Sequence, residues 1–529
     1  MSLPAEFSHL ILSNLPIDPA QKPLIRQQRD TWQSRVADLQ RQLAEAESQL
    51  SQRNTLLSPW RGFPAELIPL IFQYALPTYP LDLAGRQALI SLCLVCKQWQ
   101  SAALSFPRFW SSVRIDMNEG EPAADPVISW LARSKNVRKH VSIVLQEKVH
   151  PDNRCVWGPA GGWGHQGVHL LATLYAKRTP SVAPESFALE CLSTDSFCLK
   201  QFIRYLNQKA GRDVLEETVQ SFALDLRSDW STSIGNYLHT DFLTYTPRGI
   251  TSLDLKLPTW RVLALERSMT QGILLPIPTS VLQNLTSLHL ECDWQGPQFL
   301  ILLKQSTQLE HLTLGFRELI LRWDGSNDDT EVEEDPFLPR LKTLALLEVP
   351  AIQGGLNVLK RLKTPMLSTL DILYTAYLPP GSSWNTCASQ EIRNAAAPNH
   401  WQAPVTHLSI RFAPTEGGKL EDFSFLLGFP RIRHLTLDSA AFQVYAKTTF
   451  ESDTDVWRSA PRLEVLEILG RPTKHQLSMV QTLIERGVLK RVVYRAHLDG
   501  VLIDPGEGCA VEEPDSDSDE SFAAGENDD

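Results

Sequence analysis

The chain of 529 residues lacks several things. No apolar run approaches the roughly 20 residues that a membrane-spanning helix needs, and stretches such as LIPLIFQYAL are too short, so no membrane partner is expected. The start, MSLPAEFSHLILSNLPIDPA, has neither a basic leader nor a small-residue cleavage pattern, so no secretory signal is expected. Cysteine is sparse: eight residues, scattered, form no disulfide framework. That usage suits a reducing compartment, cytoplasmic and/or nuclear. Basic excess is also missing, which argues against nucleic acid.

Catalytic and nucleotide motifs are missing as well. The sequence contains no G-x-S-x-G and no H-E-x-x-H. The Gly-rich VWGPAGGWGHQGVHL (156–170) lacks G-x-x-x-x-G-K-[ST] and reads as an exposed loop with two aromatic anchors. Its His165 and His169 are four apart, but no nearby Cys or carboxylate completes a metal site. The pair Cys93 and Cys96 lies in an apolar helix with no second pair and reads as core packing. The acidic run DGSNDDTEVEED (324–335) lacks calcium-loop spacing and reads as an insertion between repeats. No catalytic, cofactor-binding or metal-ligating residue is assigned, and no cofactor is expected.

The net charge of −11 belongs wholly to the C-terminus: residues 504–529 hold eleven Asp and Glu and no Lys or Arg, so residues 1–503 are formally neutral. This tail is too charged and too poor in large apolar groups to fold. Ser516, Ser518 and Ser521 lie among its acids, as acid-directed kinases prefer; the simpler role is solubilisation.

After a flexible N-terminus (1–21), residues 22–57 read as one helix. Ile25, Trp32, Val36, Leu39, Leu43, Ala46, Leu50 and Leu57 recur at heptad seam positions, interrupted by Arg29 and Arg53. With only about four heptads, a weak homodimer and a single helix docking on the next domain are both open. Two short apolar helices follow, in FPAELIPLIFQYA (63–75) and RQALISLCLVCKQWQSAALS (86–105). Pro64 suits a first helical turn, and Glu66 complements the positive end of the helix dipole. SFPRFWSSVRI closes the region.

Residues 58–115 resemble an F-box. Phe63, Pro64, Glu66, Leu67, Ile71, Phe72, Val95, Cys96, Trp99, Phe109 and Trp110 match its pattern in order, and the chain as a whole resembles large F-box families of mushroom-forming fungi. The loop Pro77–Arg86 is longer than in a minimal F-box. The resemblance implies a three-helix domain that binds the Skp-type adaptor of a cullin–RING ubiquitin ligase. It would do so through Pro64, Glu66, Leu67, Ile71 and Leu94, with Phe72, Val95, Cys96, Trp99, Phe109 and Trp110 as its own core.

One phrase then recurs: VQSFALDL (219–226), ITSLDLKL (250–257), LTSLHLEC (285–292), LEHLTLGF (309–316), LKTLALLE (341–348), LSTLDILY (367–374), VTHLSIRF (405–412), IRHLTLDS (432–439) and LEVLEILG (463–470). SFALECL (186–192) and KHVSIVL (139–145) are weaker members. This is the L-x-x-L-x-L phrase of leucine-rich repeats, with its second anchors 24 to 38 residues apart. Residues 116–503 are therefore expected to form a degenerate leucine-rich-repeat solenoid with a parallel sheet, making the chain α/β overall. Residues between the anchors would face outward. Among them, His289, Glu291, His311, His407, Arg411, His434 and Asp438 are the candidate substrate face, mixed in polarity and suited to a protein or peptide.

The expected function is a non-catalytic substrate-recognition adaptor of a Skp–cullin–F-box ubiquitin ligase. The F-box would hold the Skp-type subunit, and the repeats a protein substrate destined for ubiquitin-dependent degradation. The rival is a scaffold unconnected to ubiquitin, dimerising through 22–57. A hydrolase hidden in the insertions has no support in the sequence.

Overall fold

The computed structural model describes residues 17–57, 63–76, 79–117, 124–145, 163–176, 182–191, 196–225, 240–257, 277–291, 296–316, 335–350, 356–375, 392–393, 404–412, 424–438, 461–470, 474–485, 487, 489–498 and 501–503. Most of the expected flexible N-terminus and acidic insertion, and all of the acidic tail 504–529, lie outside them.

The chain divides into two compact units. The first comprises residues 1–76 and 89–105, and the second residues 77–88 and 106–529. In the first unit, Lys22–Leu56 is one unbroken helix, as the heptad pattern requires. Ala65–Leu67 forms a short 3-10 turn led by Pro64, and Ile68–Ala75 continues as α-helix. Phe72 is fully buried and meets Trp99 edge-on, with ring centroids 5.2 Å apart. The Gln98 side chain donates to the Phe63 carbonyl at 3.1 Å and ties the start of this segment to the helix Lys97–Ser105.

The second unit is built on one sheet, ordered β1 to β14 as in the chain. Its strands are β1 (Ser112–Asp116), β2 (His140–Leu145), β3 (Ser186–Cys191), β4 (Ser221–Asp225), β5 (Ser252–Lys256), β6 (Ser287–Glu291) and β7 (His311–Gly315). They continue as β8 (Thr343–Pro350), β9 (Thr369–Thr375), β10 (His407–Phe412), β11 (His434–Asp438), β12 (Val465–Leu469), β13 (Arg491–Leu498) and β14 (Val501–Ile503). β1 to β13 run parallel to their neighbours, and β14 turns back antiparallel on β13. The fold is mixed α/β and consistent with an α/β solenoid.

The register follows from the repeated phrase. Phe222, Leu253, Leu288, Leu312, Leu344, Leu370, Leu408, Leu435 and Leu466 stand side by side across consecutive strands. Each is at most 1% exposed. A second buried row, from Leu224 and Leu255 to Leu437 and Ile468, lies two residues on, because side chains alternate faces along a strand. Phe187 packs on Phe222 at 4.9 Å, and Tyr374 stacks on Phe412 at 5.3 Å.

A backbone ladder sets this register at the entry to each strand. The N–H groups of Thr251 and Ser252 both donate to the Gln220 carbonyl, those of Thr286 and Ser287 to Thr251, and those of Glu310 and His311 to Thr286. The same step recurs up to Lys490 and Arg491, which donate to Glu464.

The two ends of the sheet differ. A bare edge strand exposes unpaired N–H and C=O groups and invites other chains to pair. At β1 the Arg114 N–H donates to the Leu81 carbonyl at 2.8 Å, and Arg86 Nη1 donates to the Arg114 carbonyl at 2.6 Å. The segment Pro77–Arg86 was expected to be a loop throughout, but Arg86 lies in the helix Leu83–Val95; with Leu81 it caps β1. At the far end β14 pairs with Ala496–Leu498 of β13 and is itself the last strand.

Two further expectations need correction. The segment 156–170 was expected to be a loop, but Trp163–Ala176 is helical. Val168, Leu170, Leu171, Leu174 and Tyr175 bury one face of it, and that burial outweighs the helix-weakening glycines. Val95 and Cys96 were expected in a core, but both are exposed. The apolar spacing from Leu89 to Ala103 suggests one helix; instead the helix Leu83–Val95 ends and another begins at Lys97. The break at Cys96 turns the apolar face, so Leu89, Ala102 and Ala103 are buried while Val95 and Cys96 face out.

Candidate binding surfaces

In the first unit, Pro64, Glu66, Leu67 and Leu94 are exposed and Ile71 is half-buried. Leu67 is 42% exposed and Leu94 77%. Leu70, Tyr74, Ile90, Val95 and Leu104 are also exposed, and the sequence reading missed them as surface groups. Their signal was present: Ile68–Ala75 is apolar on every side but Gln73, more than its small partner helices can cover. Phe72 is buried and Trp99 half-buried, as a core role requires. Phe109 and Trp110 are buried too, but in the second unit, where Trp110 packs against Trp130 at 4.6 Å under the Arg133 guanidinium.

The second candidate surface is the polar face of the sheet. Alternation places the residues between anchors on one side of each strand, half-exposed. Register then brings charges from neighbouring strands together. Arg114 reaches across β2 to Glu190 of β3 at 2.5 Å, and the Ser142 hydroxyl lies 3.4 Å from the same carboxylate. His289 Nδ1 is 3.1 Å from Asp254, and its Nε2 is 3.3 Å from Glu291. Lys256 stands 3.5 Å from Glu291. Arg411 grips Asp371 with two nitrogens, at 2.5 and 3.3 Å. The His407 and His434 rings lie 5.4 Å apart. The Glu467 carboxylate, almost fully buried, accepts from the Thr436 hydroxyl at 3.1 Å and lies 3.0 Å from His434 Nε2.

The candidate residues thus fall into separate groups. His289 and Glu291 touch; His407 and His434 touch; Arg411 is held by Asp371. His311 is exposed in the row between Ser287 and Thr343, and Asp438 ends β11 half-buried. The sequence reading missed Arg114, Glu190, Asp254 and Lys256 because it listed outward positions only from β6 onward. The phrase SLDLK, in which Asp254 and Lys256 alternate with leucines, carried the signal.

Gly315 has a particular place here. A Cβ on it would come 2.5 Å from the Glu291 Cγ, so glycine lets the glutamate lie across β7.

Environment sets the charge of these imidazoles. Burial by itself would lower the pKa of His289, but Asp254 and Glu291 outweigh it and hold it up at about 9. His407 moves the other way, lowered first by burial and then by the nearby His434. His140, half-buried beside the Ser186 hydroxyl at 2.8 Å, is lowered by desolvation. One face therefore carries a cationic imidazole at β6 and imidazoles biased to neutrality at β2 and β10. Such a face offers donors, acceptors and local charge of both signs. Among the described residues, no group of three or more His, Cys, Asp or Glu is placed to hold a metal ion, and no helix is long and apolar enough to cross a membrane.

No family model and no curated protein matches the chain. Among solved structures, it is similar to a structural-genomics crystal structure of a protein from Bacteroides fragilis. The TM-score is 0.29 and the identity 9%, over 66% of this chain and 73% of that one.

Proposed function

We propose that the protein is a substrate-recognition adaptor of a Skp–cullin–F-box ubiquitin ligase, with its first helices acting as an F-box and its sheet as a leucine-rich-repeat substrate receptor. The observation that carries this reading is the set of uncovered side chains at Pro64, Glu66, Leu67 and Leu94, four of the positions that the F-box resemblance assigns to the adaptor. Burying each large apolar side chain stabilises by roughly 1.5–3 kcal/mol, so several together support association after its entropy cost is subtracted. The polar face of the sheet supports the substrate half of the reading. Tethering a substrate there raises its effective concentration beside the ubiquitin-charged enzyme, and the chain performs no chemistry itself.

The test is co-purification of the full chain with a Skp-type adaptor, beside a Pro64→Ala/Leu67→Ala variant. The expected result is a one-to-one complex with the native chain that is lost in the variant, with unfolding of the sheet unit unchanged. A native chain that is folded yet does not bind overturns the reading.

A further inference from the structure

The helix Lys22–Leu56 presents an apolar seam whose side chains are largely exposed. Trp32, Val36, Leu39, Leu43 and Leu50 are all between 51% and 60% exposed. The seam alternates in heptad fashion: Ile25, Trp32, Leu39 and Ala46 on one row, and Val36, Leu43, Leu50 and Leu57 on the other. Arg29 and Arg53 occupy the two vacant seam positions, and they decide which pairing the seam permits.

A parallel pair of such helices sets each seam residue against its own copy. Arg29 would then face Arg29, and Arg53 would face Arg53, inside an apolar seam. The antiparallel register with the longest overlap sets Leu39 against Leu43 of a second copy, but it also sets Arg29 against Arg53. Shifting by one heptad removes the conflict. Val36 then faces Leu39 of the second copy, Trp32 faces Leu43, and Ile25 faces Leu50. Arg29 faces Ala46, whose single methyl leaves room for the arginine stem. The Arg29 guanidinium already holds Asp30 of its own helix, at 2.7 and 2.9 Å, so its charge enters the seam with a partner. Arg53 meets Lys22 of the second copy at the very end of the overlap, where both long stems can carry their charges into water, and Leu57 falls beyond it.

The flanks agree with this register. Arg26 comes beside Glu47 of the second copy, and by symmetry Glu47 beside Arg26. Gln33 meets Gln40, Gln28 meets Gln49, and Arg35 meets Gln42. Among these flanking pairs no like charges meet, and the Arg26–Glu47 pair at both ends opposes the Lys22–Arg53 repulsion there.

We propose that Lys22–Leu56 pairs antiparallel with the same helix of a second copy of the chain, Val36 against Leu39, so that the protein is a dimer joined through this helix. The proposal goes beyond the adaptor reading and does not depend on it.

Two experiments on the full chain test it. Sedimentation equilibrium over a dilution series reads the mass. The mass of two chains is expected at the concentrated end, falling towards one on dilution. Leu39→Glu/Leu43→Glu should sediment as one chain throughout with an unchanged circular dichroism spectrum, since both positions are exposed. The native mass of one chain at every concentration overturns the proposal. Orientation is read by disulfide trapping, which needs Cα atoms within about 7 Å. Val36→Cys and Leu39→Cys are oxidised separately and as a mixture, with the native chain setting the background of its own cysteines. Cross-linked dimer above background only in the mixture is the expected result. Cross-linking within either variant alone means parallel pairing and overturns the proposal, as does a mixture that shows none. Arg26→Glu should weaken the dimer several-fold, and adding Glu47→Arg should restore it; no recovery overturns the register.

Discussion

Leu344 and Leu370 in the sheet are fully buried, whereas Leu67 and Leu94 in the helical unit are 42% and 77% exposed. The outward charges of the sheet also find partners on neighbouring strands, as Arg411 finds Asp371 and His434 finds Glu467. The two units are thus provisioned differently. A repeat stack offers every strand an identical neighbour, so apolar anchors and outward charges are both matched within the chain. A few short helices lack that supply. Their apolar surface stays exposed, whereas the sheet buries its anchors on its own.

The comparison breaks most visibly under truncation. Leu370→Ala should destabilise the sheet unit by about 2–5 kcal/mol, whereas Leu94→Ala should stay within about 0.5 kcal/mol. Urea unfolding followed by far-UV circular dichroism measures both, and equal costs would erase the distinction. Next comes Glu467→Ala. It leaves Thr436 and His434 without their buried acceptor and should cost roughly 1–3 kcal/mol in the same assay.

A third test uses pH. His289 titrates at about 9 in the folded chain and near 6.5 when unfolded. Its contribution is therefore fully present below pH 6.5 and is lost as the pH rises through 9. Unfolding midpoints should fall across that window in the native chain and fall less in His289→Asn. Gly315→Ala, by crowding Glu291, should move the His289 midpoint down towards 6.5 in an NMR titration. The smallest effect belongs to Arg411 and Asp371, which are part-exposed; a double-mutant cycle should give about 0.2–1 kcal/mol of coupling.

Much of this sheet was legible from one phrase. Nine copies of L-x-x-L-x-L, read by their second anchor, predict the row from Phe222 to Leu466 that the register aligns. Two weaker copies mark β2 and β3. β1 and β13 escaped because valine, isoleucine and tyrosine replace the leucines in SVRID and RVVYRAHL. The phrase reports side chains that fill space, and β-branched or aromatic residues fill it equally well. The pairing of charges on the polar face was illegible for a different reason. Asp371 and Arg411 are 40 residues apart, and only the register makes them neighbours. The break at Cys96 was hidden too, since apolar spacing on both sides of it continues one helical pattern that the backbone does not follow.

The ladder in which two N–H groups meet one carbonyl has a consequence for how such a chain can change. Alignment is fixed at a single point of entry per repeat, so the residues between one strand and the next carry no responsibility for it. Second anchors 24 residues apart and 38 residues apart fall into the same row. Insertions and deletions in those intervals that spare buried groups such as Val281 and Leu303 are therefore close to neutral for the register. A chain of this design can acquire new contacts by lengthening its connections, with its interior untouched.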